Sequence, residues 1–294
     1  MKECIVCHHA HTSRSKLCPR CQAIRNSRHD RALKPEDMIA AYDPPSDTFK
    51  CMYSGLSMDE SNPQSPYHYS TDHWVPGEKK VVMCCRLFNT MKSSLTGPEF
   101  IKVVPHLDDV LQGLVPFQRD IIPFERWNWT AAPKVPKYRP DPALRLVKVD
   151  ACKICRKPPL LYSYYCARCR ELVFQHGLAG PRVEAFANAY YEPLDTFLCH
   201  YTRQPLVFTG RYGPWHVSVD HLTPGDEKHV VVAALWVNRM KTYLTESQFR
   251  AVIHALAFHI RTGAPFDTSV LSARSFQQTV RRLGAKIPVD LRRF

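Results

Sequence analysis

The hydrophobic pattern changes period along the chain, and each change marks an element. Trp215-His-Val-Ser-Val-Asp-His221 alternates as a half-buried strand does, and Thr-Pro-Gly-Asp-Glu-Lys then breaks the alternation as a turn. The apolar run Val230 to Leu235 predicts a second strand, and a helix is expected from near Trp236. Asn238 and Lys241 lie three apart on that helix, so they share a face that can point back at the end of the first strand. Thr245-x-x-Gln248 is a capping box opening a further helix, whose Phe249, Val252, Ile253, Leu256 and Ile260 form one apolar stripe. Earlier in the chain the same plan carries Asp72, His73, Asn89 and Lys92, then Thr96-x-x-Glu99 as the cap of a helix that Pro105 is expected to kink or end early.

Set against itself, the chain repeats at an offset of 148, which predicts two tandem copies of one module. Ala41-Tyr42 matches Ala189-Tyr190, Asp47-Thr48-Phe49 matches Asp195-Thr196-Phe197, and Cys51-Met-Tyr53 matches Cys199-His-Tyr201. His68 matches His216, and Asp72-His73 matches Asp220-His221. After one inserted residue, Asn89-Thr-Met91-Lys92 matches Asn238-Arg-Met240-Lys241. Between the copies, residues 131–142 hold four prolines in twelve, a composition that favours an extended spacer. Ser272 to Gly284 reads as a short basic helix, suited either to a phosphate backbone or to a solvated surface.

Cys-x2-Cys, ten residues, then Cys-x2-Cys occurs twice, as Cys4, Cys7, Cys18, Cys21 and as Cys152, Cys155, Cys166, Cys169. Four thiolates so spaced can surround Zn²⁺ as a tetrahedron, and a closed four-sulfur site leaves no position for substrate. Two structural zinc ions are therefore expected, each stapling a small subdomain with little core of its own. His8, His9 and His11 are possible competitors for the first ion, but thiolates win on softness. The other four cysteines, Cys51, Cys84, Cys85 and Cys199, read as core residues.

The longest purely apolar stretch, Val230 to Val237, has eight residues where a membrane span needs about 20. The start, Met1-Lys-Glu-Cys-Ile-Val-Cys7, lacks the apolar core of a secretory signal, so a reducing intracellular setting is expected, consistent with cysteines as metal ligands. At 294 residues the chain has the length of about two domains. Its 40 Lys and Arg against 27 Asp and Glu give a net charge of +13, which favours a polyanion, because cations that neutralise phosphates release condensed counterions. The candidate phosphate contacts are Arg14, Lys16, Arg20, Arg25 and Arg28 of the first ribbon, Arg239, and Arg274, Arg281 and Arg282 of the tail.

Strand, loop, strand, helix, with Asp-His ending the first strand and Asn-x2-Lys on the helix, resembles the ββα-metal nucleases, also known as HNH or His-Me finger enzymes. The resemblance covers about 35 residues per copy and rests on Asp72, His73, Asn89, Lys92 and on Asp220, His221, Asn238, Lys241. It implies a general-base role for His73 and His221, and a divalent ion such as Mg²⁺ held by Asp72 with Asn89 and by Asp220 with Asn238. It also implies that Lys92 and Lys241 lie near the phosphate. The residue types suit that chemistry, since a near-neutral imidazole can take a proton from water and amide and carboxylate oxygens suit a hard cation. The family's middle Asn or His has no Asn counterpart between residues 74 and 88, and between residues 222 and 237 only His229 offers itself.

The expected fold class is α+β, two tandem copies of a small zinc ribbon plus a ββα-metal module, with helical extensions. The first copy spans 1–130 (ribbon 1–34, ββα core 47–106), the linker 131–145, the second copy 146–262 (ribbon 150–172, core 195–262) and a basic extension 263–294. Two functions follow. One is a metal-dependent endonuclease of the homing or restriction type, a monomer acting on double-stranded DNA as a pseudodimer, one site per strand. The other is a non-catalytic zinc-containing protein that binds nucleic acid, DNA or RNA, on the same framework.

Overall fold

The structure, a computed structural model, describes residues 1–26, 33–122, 149–160, 163–208, 213–272 and 276. The spacer 131–142 lies outside the described residues, as does all of the tail helix expected over 272–284 except Ser272 and Phe276. The architecture is mixed α and β, with short antiparallel strand pairs and two groups of four cysteines. Among the described residues no helix is long and apolar enough to cross a membrane.

In the N-terminal half, β1 (Lys2–Glu3) pairs with β2 (Ala10–His11), and α1 (Pro19–Asn26) completes the first ribbon. Then come α2 (Pro35–Ala41), β3 (Tyr42–Asp43) and β4 (Thr48–Phe49). The central unit is β5 (Tyr69–His73), antiparallel to β6 (Val81–Cys85), and α3 (Arg86–Lys92), which begins on the next residue. The register pairs Tyr69 with Cys85 and His73 with Val81, so the seven residues between the strands form the turn, with Gly77 at φ +86°. Next comes α4 (Gly97–Leu111). Its capping box forms as predicted: Thr96 N donates to Glu99 Oε2 at 2.7 Å and Glu99 N to Thr96 Oγ1 at 3.2 Å. Gly97 is required at this start, because a Cβ there would lie 2.4 Å from the Trp74 ring.

Pro105 does not end α4 early; the helix continues six residues beyond it. The residues on both sides explain this. Phe100, Val103, Val104 and Leu107 are all fully buried, and four such side chains at about 1.5–3 kcal/mol each outweigh the roughly 3 kcal/mol that an interior proline costs.

The C-terminal half shows no counterpart of the β1–β2 pair among its described residues, but from its first helix on it has the same order of elements. These are α5 (Ala167–His176), α6 (Pro181–Ala189), β7 (Tyr190–Tyr191), β8 (Thr196–Phe197), β9 (Val217–His221), β10 (Val230–Ala234), α7 (Leu235–Lys241) and α8 (Glu246–Thr262). Here β9 pairs with β10 from Val217 opposite Ala234 to His221 opposite Val230, and the turn is one residue longer. Thr245 and Gln248 close the second capping box at 3.0 and 3.2 Å.

The chain folds as two compact units whose limits differ from those of the sequence halves. One comprises Met1–Asp108 with the described residues from Arg250 onward, the other Asp109–Phe249. In the first, Phe266 packs on Phe88 with ring centroids 5.3 Å apart, and Tyr67 donates its hydroxyl to Leu271 O at 2.9 Å. In the second, Phe117 packs on Trp215 and Trp236 at 5.6 and 5.3 Å, and the Arg119 guanidinium lies over Trp215 at 4.7 Å. Each ββα core is therefore covered by the segment that follows the last helix of the other half.

Candidate zinc sites and the Asp-His clusters

Both cysteine groups close as their spacing requires. In each, the four sulfur atoms lie within 4.8 Å of one another, and Cys7–Cys18 and Cys155–Cys166 are 3.5 Å apart, a separation suited to four thiolates around one tetrahedral ion. The knuckle turns are built alike: His8 N donates to Cys4 O and Arg156 N to Cys152 O, with His8 and Arg156 in the left-handed region. The third and fourth cysteines lie at the start of α1 and of α5. These residues fit structural zinc, with no substrate position. None of His8, His9 and His11 joins the first group: His8 Nδ1 lies 2.7 Å from Glu3 Oε1, His9 Nε2 lies 3.6 Å from Asp47 Oδ1, and His11 is buried.

Each ribbon is fastened to its ββα core by one arginine. Arg20 donates to Glu60 through Nε and Nη2 at 2.7 and 2.6 Å and to Asp47 Oδ1 through Nη1 at 2.6 Å, with its guanidinium over Phe49. Arg168 donates from Nη1 to Asp195 O at 3.0 Å and places Nη2 2.8 Å from Asp195 Oδ1. Tyr42 and Tyr190 donate to the same two carboxylates at 2.8 and 2.7 Å. Hydrogen bonds from Lys157 and Tyr190, with Arg168 nearby, hold the Asp195 carboxyl below the usual carboxylate range. Of the sequence-derived phosphate contacts, Arg20 is thus committed internally. Arg14, Lys16 and Arg25 are exposed, Arg239 is half-buried on α7, and Arg28, Arg274, Arg281 and Arg282 lie outside the described residues.

The two Asp-His clusters share a geometry around the aspartate. Asp72 and Asp220 keep 4% and 3% of their surface, and Lys92 and Lys241 keep 1% each. Lys92 Nζ lies 3.2 Å from Asp72 Oδ1 and donates to Leu95 O at 2.5 Å; Lys241 Nζ lies 3.1 Å from Asp220 Oδ1 and donates to His221 O at 2.7 Å. The remaining oxygens accept from buried tyrosines: Tyr53 bonds Asp72 Oδ2, and Tyr201 bonds Asp220 Oδ2 at 2.6 Å. Burial raises both carboxyl pKa values, opposed by the lysines and then by the tyrosine bonds. Burial also pushes both tyrosine hydroxyls up, so they remain donors.

The helix asparagines act as clamps. Asn89 Nδ2 donates to Ser70 Oγ at 2.8 Å and Thr71 O at 2.7 Å, and Asn238 Nδ2 donates to Ser218 Oγ at 3.2 Å and Val219 O at 2.9 Å. Each ties its helix to the strand residue just before the aspartate. The histidines face different partners. His73 Nδ1 lies 2.7 Å from Glu78 O. His221 Nε2 lies 3.2 Å from Glu227 Oε1 without hydrogen-bonding alignment, and the other oxygen of Glu227 accepts from Arg182 at 2.6 Å.

A hard divalent ion needs open oxygen ligands. Both oxygens of Asp72 and of Asp220 are already engaged, and in each case an ammonium stands against the carboxylate as its counter-cation. As arranged, neither aspartate offers Mg²⁺ an unengaged oxygen, and an ion on either would first have to displace a buried lysine.

A comparison with protein-family models, curated proteins and solved structures finds no match to this chain.

The sequence did not reveal Tyr53 and Tyr201 as partners of the aspartates, or Arg20 and Arg168 as partners of Asp47 and Asp195. A signal was present: both ends of each pair recur at the offset of 148. Pro116-Phe117 and Pro265-Phe266, 149 apart, carried the same signal for the covering segments.

Proposed function

We propose that the chain is a zinc-containing protein that binds nucleic acid, with double-stranded DNA as its leading partner, and that its ββα units are non-hydrolytic supports. The observation that carries this reading is the buried Lys–Asp–Tyr cluster in both cores, which supplies internally the positive charge a divalent ion would bring. Support for a polyanionic partner comes from the charge of +13 and from Arg14, Lys16 and Arg25, exposed on a ribbon that zinc would hold rigid. The common order of elements supports descent of both halves from one duplicated module, a monomer that meets a duplex as a pseudodimer. The test is duplex binding by the zinc-loaded chain across a salt series: affinity should fall steeply with salt, and a salt-independent or absent interaction contradicts the reading.

The second reading, a metal-dependent HNH-type endonuclease, is favoured by one observation. His73 is only partly buried, and its Nδ1 lies on a backbone carbonyl, an arrangement that fixes an imidazole ring for proton transfer. On that reading His73→Ala and His221→Ala each leave a nicking enzyme and the double variant is inert.

A further inference from the structure

Beside β10 the second unit carries a half-open groove of about 310 Å³, lined by Asn188, Tyr190, Tyr191, His200, Arg203 and the valines of the strand. This is at the small end of ligand-sized cavities, which run to roughly 300–1,000 Å³. Among the described residues that line it there is no carboxylate, and its one permanent cation is Arg203. That side chain is exposed and makes no hydrogen bond or ion pair among the described residues. Tyr191, another residue of the lining, leaves 43% of its surface open.

The turn that carries Arg203 has a glycine in its place in the first half. Arg203 sits at φ +57°, in the left-handed region that side chains avoid and glycine does not. The turn that holds it is closed by Arg203 N donating to Cys199 O at 2.8 Å. The equivalent turn in the first half is closed by Gly55 N donating to Cys51 O, also at 2.8 Å, with Gly55 at φ +63°. A position that suits glycine thus carries an arginine in the second half, at a cost in backbone strain, and that arginine lines a groove with no partner for its charge among the described residues. Arg156 of the second knuckle shares that backbone region, so it is the place of Arg203 in a lining without a carboxylate, more than its strain, that points to an anionic ligand.

We propose that this groove binds a single nucleoside monophosphate unit, with the phosphate on Arg203 and the base against the open Tyr191 ring. The inference deepens the nucleic-acid reading and takes its ligand class from it. A guanidinium matches phosphate oxygens in a fixed fork, and an exposed tyrosine face accepts any base.

The test is calorimetric titration of the full zinc-loaded chain with deoxyadenosine monophosphate, with deoxyadenosine and with an Asp/Glu-rich peptide, using wild type and Arg203→Gly. Glycine suits the backbone here, so the variant should melt no lower than wild type, which separates loss of binding from loss of fold. The expected result is saturable binding of the monophosphate by wild type, about tenfold weaker without the phosphate or in Arg203→Gly. Equal affinity in both proteins, no binding to wild type, or capture of the acidic peptide in preference to the monophosphate would each overturn the proposal. Duplex binding, measured alongside, separates the two ideas. If the duplex fails to bind while Arg203→Gly still loses the monophosphate, the groove stands and the wider reading falls. If the duplex binds while Arg203→Gly keeps the monophosphate, the groove falls alone.

Discussion

Lys241 Nζ lies 3.1 Å from Asp220 Oδ1 with both side chains sealed from solvent, and Lys92 repeats the relationship with Asp72 at 3.2 Å. Each lysine leaves its helix to meet a carboxylate on the strand that the same helix covers. Removing one partner strands an uncompensated buried charge. Lys241→Met should therefore cost about 3–5 kcal/mol, whereas Lys241→Met with Asp220→Leu should recover much of the loss. Urea unfolding of the single and double variants checks this, and a Lys241→Met protein as stable as wild type would show that the pair is not closed.

Arg20 is a fastener for the ribbon, whereas Arg14 and Lys16 face solvent. Arg20→Ala should cost about 1–3 kcal/mol in stability and leave the salt slope of DNA binding unchanged. Arg14→Ala or Lys16→Ala should do the reverse, each lowering the slope by about one while the melting temperature holds. Binding isotherms over a salt series, paired with thermal melts, distinguish the two behaviours.

Two equivalents of zinc per chain are expected, one for each cysteine group. Cys4→Ser should lower the metal content to one equivalent and unfold the first ribbon, because ligand-to-metal bonds are that subdomain's main source of stability. Metal analysis with circular dichroism measures both. A chelated chain with an unchanged melt would contradict structural zinc.

Acid sensitivity should arise in the second unit. Burial, with a smaller push from His216 and Arg182, lowers the His176 pKa from 6.5 to about 4. The native state therefore binds its proton less readily than the unfolded chain. Its stabilising contribution is complete above pH 6.5 and is lost as pH falls toward 4, an effect of about 3 kcal/mol. His176→Phe, beside Phe186, should flatten the dependence of melting temperature on pH across that window. An unchanged slope would place the acid sensitivity elsewhere.

What was legible in the sequence was local. Cysteine spacing gave both ribbons, alternation gave β9, the apolar run gave β10, and Thr245-x-x-Gln248 gave the start of α8. What was not legible depends on packing across distance. Nothing in a basic residue's neighbours separates a free Arg14 from an Arg20 that reaches Asp47, 27 residues on, and Glu60, 40 residues on. Lys92 likewise was expected near a phosphate, and only the fold places it against Asp72 as a buried counter-cation, while Pro105, expected to kink or end its helix, lies in an apolar stripe whose complete burial no local pattern announces.

The most direct measurement of the central claim is incubation of supercoiled plasmid with the zinc-loaded chain and Mg²⁺ or Mn²⁺, scored on one gel for retardation and for nicking. Non-hydrolytic binding predicts a retarded plasmid that stays covalently closed after the protein is removed. Nicked or linear plasmid from wild type, absent with the His73→Ala/His221→Ala double variant, would contradict it and establish the cores as active nuclease sites.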